Sequence, residues 1–233
     1  LLAAAAVAAS EKTIIVASSC KARDPEAAAI RLWGVDKHKC RQVLQGHKST
    51  VSALSFSCSS KFLISSGKDR KLCVWKRSKD DNDYELAFAK VGAHKRIVWA
   101  VHGCPFDETV FCSGSRDGCV KVWRIVGDCE SVEECCAFSP RTTKSDGKPE
   151  SVTSLSIAPR LMGSGLLLAV GLESGEIELW SIPLSLEAPM LALRFESNKC
   201  HAAAVTKLAW KPLLHENSDL VLASCSEDHG CRI

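Results

Sequence analysis

GHKSTVSALSFSCSSKFLISSGKDRKLCVW, residues 46–75, and AHKRIVWAVHGCPFDETVFCSGSRDGCVKVW, residues 93–123, are two copies of one pattern. Their histidines, His47 and His94, lie 47 positions apart, and the pairs Asp69/Asp117 and Trp75/Trp123 each lie 48 apart. A period of that length fits a unit of four short strands, whereas a coiled coil or a helical solenoid would impose another. Working outward, strands also end on Trp33 and Trp180, so residues 1–233 divide into units that finish near 33, 75, 123, 180 and 233. The unit from Thr13 to Trp33 is partial, and the one from Val152 to Trp180 has no upstream histidine. The last opens at Cys200 and His201 and runs to SCSEDHGCRI, residues 224–233.

Alternation of apolar and polar residues places the strands inside each unit. For the second unit the pattern predicts Val51–Phe56, Phe62–Ser65, Leu72–Trp75 and an outer strand over Tyr84–Val91. Further outer strands are expected at Cys40–Leu44, Val132–Phe138 and Met190–Phe195. Gly67, Lys68, Asp69 and Arg116, Asp117, Gly118 supply the hairpin turns. CKARDPEAAA (residues 20–29) lengthens one hairpin, and SPRTTKSDGKPE (residues 139–150) is a polar Pro/Gly-bearing connector. The expected fold is all-β: a β-propeller with about five blades of an incomplete ring.

At 46% hydrophobic and 24% charged residues the chain has material for a full core. A formal charge of +3 does not by itself mark a nucleic-acid binder, which needs concentrated Lys and Arg. Thirteen cysteines is a high and odd number, but Cys73, Cys112, Cys119 and Cys225 sit in apolar strand-like runs, where cysteine acts as a small hydrophobe. A cytoplasmic or nuclear protein with reduced thiols follows as the expectation. No Cys-x-x-Cys occurs, and the Cys200–His201 and Cys135–Cys136 neighbours point to opposite faces of a strand, so no metal site is expected. The opening LLAAAAVAAS has neither a Met nor a basic segment ahead of its apolar run and is too short to span a bilayer. It reads as an internal segment of a longer chain.

The two leading units resemble the WD40 repeat. That resemblance implies a chain of hydrogen bonds in each blade, from indole to strand serine to loop histidine to turn aspartate. On this sequence the positions are His47, Ser65, Asp69, Trp75; His94, Ser113, Asp117, Trp123; and His201, Ser224, Asp228 without the aromatic. A neutral imidazole donates with one nitrogen and accepts with the other, while an indole only donates, so the residue types suit a closed chain. The same residue types could make a hydrolytic triad, but a catalytic set is single and this one recurs in phase with the repeat. In LLLAVGLESGEIELW (residues 166–180) Val170 stands where serine belongs and Ser174 where aspartate belongs, so this blade is expected to rely on apolar packing alone.

AHKRIVWAV, SGSRDGCVKVW, GLESGEIELW and ASCSEDHGCRI, in that order of units, are similar to the carboxy-terminal propeller of the second-subunit family of the Elongator complex. The resemblance implies a non-catalytic scaffold for C5 modification of the wobble uridine (U34) of tRNA, with the chemistry on another subunit. It implies the other Elongator subunits as partners, an indirect or weak tRNA contact, and neither cofactor, membrane nor small-molecule substrate. The residue before the turn aspartate is expected on the narrower face, where it is Lys68, Arg116 and Glu227; Lys68 and Arg116, with Lys95 and Arg96 after a blade histidine, are the candidate partner-binding residues. Another WD40 adaptor, in ubiquitin ligation or ribosome biogenesis, is the alternative. A propeller enzyme would need convergent carboxylates or histidines in the channel, and the sequence offers no such set.

Overall fold

Strands build the five sheets of the computed structural model, which describes residues 2–9, 14–22, 24, 26–35, 38–78, 83–140, 147–163, 165–195, 199–213, 215 and 218–233. Blade 1 is β1 (Leu2–Ala9), β2 (Ile14–Cys20), β3 (Ile30–Gly34) and β4 (Lys39–Leu44). Blade 2 is β5 (Val51–Phe56), β6 (Phe62–Gly67), β7 (Leu72–Arg77) and β8 (Tyr84–Lys90). Blade 3 is β9 (Val98–Gly103), β10 (Val110–Ser115), β11 (Val120–Val126) and β12 (Ser131–Phe138). Blade 4 is β13 (Val152–Ile157), β14 (Gly165–Leu172), β15 (Ile177–Pro183) and β16 (Met190–Arg194). Blade 5 has three strands, β17 (Val205–Trp210), β18 (Leu222–Ser226) and β19 (Cys231–Arg232). Every pairing is antiparallel between sequence neighbours, which suits short hairpins.

The inner strands β1, β5, β9, β13 and β17 pack each on the next, and no comparable seam joins β17 to β1 among the described residues. The core is not central but lies between blades. One cluster joins Ile15, Ala17 and Leu32 of blade 1 to Val51, Leu54 and Trp75 of blade 2. Equivalent clusters join Ile64 and Val74 to Val98 and Phe111, and Cys112 and Val122 to Leu155 and Leu168. A middle strand is therefore covered on both faces: all six residues of β6 and of β10 are buried, and the polar/apolar alternation of a one-sided sheet is lost there.

One difference from the sequence expectation concerns the start of the first repeat. LLAAAAVAAS contributes β1, paired from Leu2↔Cys20 to Ala9↔Ile14, so the first unit is a complete four-stranded blade beginning before Thr13. An alanine run has no period and a low strand preference, so only pairing with β2 and packing along β5 reveals it. The long hairpin from β2 to β3 spans residues 21–29 and docks Ala28 and Ala29, both buried, whereas four residues join β6 to β7. Residues 141–146 of the other long connector lie outside the described residues.

Each complete blade carries a bulge in its outer strand opposite its tryptophan: Arg41, Ala87, Cys135 and Ala192 are the extra residues beside Trp33, Trp75, Trp123 and Trp180. A second bulge recurs at the start of the inner strands, at Ser52, Trp99, Thr153 and Thr206. Bulges of this kind bend the strand and re-aim one side chain.

The seam between blades 3 and 4 carries a titratable group. His102 Nδ1 accepts the backbone N–H of Ile157 at 3.3 Å, which requires that nitrogen unprotonated. Burial, reinforced by the positive charge of Lys207, pushes its imidazole down to about 4 from an ordinary 6.5. The unfolded chain thus takes up this proton first. The stability tied to neutral His102 is complete above pH 6.5 and is lost as pH falls toward 4, an expected decline of about 3 kcal/mol. Denaturation measured across that range checks it, and His102→Gln, which cannot titrate, is expected to flatten the curve.

Candidate functional site

The turn and the loop at one end of each blade meet around the polar chains. In blade 2 the Trp75 indole N–H donates to Ser65 Oγ (2.8 Å) and Ser65 Oγ lies 2.9 Å from His47 Nε2. His47 Nδ1 in turn lies 3.0 Å from an Asp69 carboxylate oxygen. Blade 3 repeats the set with Trp123 to Ser113 (2.8 Å), Ser113 to His94 (2.8 Å) and His94 to Asp117 (3.3 Å). Blade 5 has His201 at 2.8 Å from Ser224 and 3.0 Å from Asp228. A neutral ring protonated on Nδ1 satisfies every member, because the serine hydroxyl then donates to Nε2 while accepting from the indole.

The aspartates are also held by backbone donors, and this sets their charge. Burial by itself would raise Asp117, but the hydrogen bond from His94 and the N–H groups of Lys95 and Cys119 outweigh it and hold the carboxyl at about 2. Asp69 is lowered by the same balance, with Lys48 and Lys71 donating. Asp228 is lowered first by the N–H of Ala202. His94, Asp117 and Cys119 gather three potential metal donors within 4.8 Å, yet both His94 nitrogens and both Asp117 oxygens are already engaged by protein groups. The three serines, each buried at 4% exposure or less, bond to an imidazole within the blade. Ser65 and Ser113, at 0% exposure, offer a substrate no approach, whereas Ser224 lines a cavity of about 990 Å³.

Blades 1 and 4 solve the same problem differently. Trp33 donates to Ser18 Oγ at 2.7 Å, a pair that the first unit's sequence hid because no histidine or aspartate accompanies it. In blade 4 the expectation of apolar packing alone is corrected: Trp180 donates to Glu178 Oε2 at 2.9 Å, and Glu178 is fully buried. Glu178 sits opposite Val170 in the ladder, as Cys73 sits opposite Ser65, so the acceptor has moved one strand outward. A buried indole N–H needs an acceptor and valine offers none.

The turn residues define one face. The backbone N–H groups of Lys68, Arg116, Glu173 and Glu227 each donate to the carbonyl of Thr50, Ile97, Ser151 and Ala204, just before the inner strand of the same blade. These four residues are therefore equivalent by position. With Lys21, which follows β2 as Lys68 follows β6, they line a central mouth of about 1010 Å³ to which all five blades contribute. Cations occupy the wall from blades 1 to 3 and carboxylates the wall from blades 4 and 5. Lys95 and Arg96 are exposed on the loop beside Asp117 but are not part of that lining. The turn position that carries Lys68 and Arg116 carries glutamate, Glu173 and Glu227, in the next two blades, so the rim is basic on one side and acidic on the other.

None of the thirteen cysteines is in a disulfide, and burial pushes the Cys73 thiol up to about 12, which suppresses its thiolate. Among the described residues no helix is long and apolar enough to cross a membrane.

Residues 38–76 and 88–124 match the family described as WD domain, G-beta repeat. The chain is 31% identical over 220 residues to Elongator complex protein 2 of Schizosaccharomyces pombe, a match covering 94% of this chain and 28% of that protein. It is 36% identical to Elongator complex protein 2 of Arabidopsis thaliana, covering 94% and 26% respectively. Against Elongator complex protein 2 of Homo sapiens the identity is 32%, covering 96% and 29%. The chain thus spans less than a third of the length of these relatives. The crystal structure of Saccharomyces cerevisiae Sqt1 superimposes with a TM-score of 0.72 at 16% identity, over 97% of this chain and 57% of that one, a likeness of fold.

Proposed function

Because the chain belongs to the WD40-repeat family of Elongator complex protein 2, we propose that it serves as a non-catalytic scaffold within an Elongator assembly. The observation that carries this reading is the internal use of every repeated polar group. His47, His94 and His201 each bridge a serine and an aspartate of their own blade, so these groups are spent on holding the blade together. What remains on the surface is recognition chemistry: exposed Lys68, Arg116, Lys95 and Arg96 on loops held by stiff blades. The partners proposed are the other Elongator subunits, in the cytoplasm or nucleus. In this reading the scaffold supports C5 modification of the tRNA wobble uridine by a catalytic subunit and touches tRNA weakly or indirectly.

Affinity capture of the full-length protein tests the reading. The remaining Elongator subunits are expected to co-purify, and joint charge reversal of Lys68, Lys95, Arg96 and Arg116 is expected to reduce their recovery roughly tenfold without lowering the melting temperature. Recovery of an unrelated set, such as ubiquitin-ligase or ribosome-assembly factors, would replace the Elongator reading with that of a different adaptor. Mass spectrometry of digested tRNA from cells carrying the reversal reports the downstream step as a loss of modified wobble uridine.

A further inference from the structure

One position of the hairpin between the second and third strands changes its chemistry in blade 5. In blades 2, 3 and 4 a small residue there faces an aliphatic one across the ladder: Ser66 opposite Leu72, Gly114 opposite Val120 and Gly171 opposite Ile177. Blade 5 places Cys225 opposite Cys231, with the two sulfurs 3.1 Å apart. Among the described residues no other two thiols bond to one another. The neighbouring ladder bond runs from the Ser226 N–H to the Gly230 carbonyl at 3.2 Å, so the cysteines form a non-hydrogen-bonded pair, where opposed side chains come closest. Such a pair holds its Cα atoms about 4.5 Å apart, within the ~4.4–6.8 Å that a disulfide bridges. Closure therefore needs no movement of the strands. Cys231 is exposed and Cys225 half-buried, whereas Cys73 and Cys112 are buried as packing groups.

We propose that Cys225 and Cys231 are a reversible thiol–disulfide site, oxidised by a small disulfide such as glutathione disulfide, that fixes the hairpin carrying Glu227 and Asp228. The exposed Cys231 thiolate attacks one sulfur of the oxidant and releases one glutathione thiolate. The Cys225 thiolate then attacks Cys231 Sγ in the mixed disulfide and releases the second. The cysteine pair gives up two electrons and two protons, and glutathione disulfide becomes two glutathione thiols. An exposed disulfide is open to the reverse exchange, which makes the step reversible. Its consequence is local: the closed loop holds Glu227, which lines the mouth, and Asp228, which bonds to His201.

The test uses the full-length protein, equilibrated in glutathione buffers from reduced to oxidised, capped with iodoacetamide in denaturant and digested with trypsin. Residues 208–232 form one peptide, since Lys211 precedes a proline, and it contains Cys225 and Cys231 but no other cysteine. Oxidation is expected to remove both caps from this peptide together and leave it two hydrogens lighter, while Cys73 and Cys112 stay capped. Dithiothreitol is expected to restore both caps. Amide exchange at Ser226 and His229 is expected to slow roughly fivefold in the closed form and to be insensitive to oxidation in Cys231→Ser. The proposal is overturned if the peptide keeps both caps in the most oxidising buffer, if it collects glutathione adducts without closing, or if closure leaves exchange in the hairpin unchanged.

Discussion

Asp117→Ala is expected to lower the free energy of unfolding by about 3 kcal/mol. The carboxylate accepts from His94 and from the backbone N–H groups of Lys95 and Cys119, and the His94 side chain is fully buried. Removal strands all three donors and unties the far end of the bonds through Ser113 to Trp123. Asp117→Asn keeps one acceptor oxygen and is expected to lose about half as much. The acid limb carries a second signature. Because the folded carboxyl sits at about 2 against 3.8 unfolded, its contribution is full above pH 3.8 and is lost as pH falls toward 2, so the alanine variant should show a shallower decline there. Chemical denaturation as a function of pH reads both effects, and superimposable curves for variant and parent would remove the network from the account of stability.

The second large effect belongs to the blade that lacks the pattern. Glu178→Ala is expected to destabilise by about 3 kcal/mol, because it leaves the Trp180 indole without its acceptor and opens space at a fully buried position. Glu178→Gln preserves an acceptor and is expected to cost less. A rescue makes the assignment specific: since Val170 faces Glu178 across the ladder, adding Val170→Ser to Glu178→Ala puts a hydroxyl where blades 2 and 3 carry Ser65 and Ser113. The double variant is expected to recover about 1 kcal/mol relative to Glu178→Ala alone. If it is no more stable than the single variant, the glutamate acts through something other than the indole.

These two sites mark the boundary of what could be read in advance. The His/Ser/Asp/Trp sets of blades 2 and 3 repeat at a fixed period, so their positions could be named from spacing, and the distances then place each set together. Glu178 has no repeat partner to announce it. A carboxylate two residues before a tryptophan on a strand looks like an alternating surface charge until the neighbouring blade covers it. Ser18 was hidden for the related reason that a serine–indole pair carries no signature without its histidine.

The sequence alone determined the number of repeat units, most strand positions and the blade chemistry, because a period-2 pattern inside a 48-residue repeat leaves few other folds. It also placed a charged residue, Lys68, Arg116 or Glu227, before the turn aspartate of three blades. Tertiary structure decided what those charges face. Only closing the blades around an axis sets Lys68 and Arg116 across from Glu227, turns the bulged Trp99 into the mouth, and leaves Lys95 and Arg96 outside it. The physical reason is distance in the chain: residues about 50 positions apart become neighbours through inter-blade packing, and the sign of a neighbour's charge is not written in the local pattern.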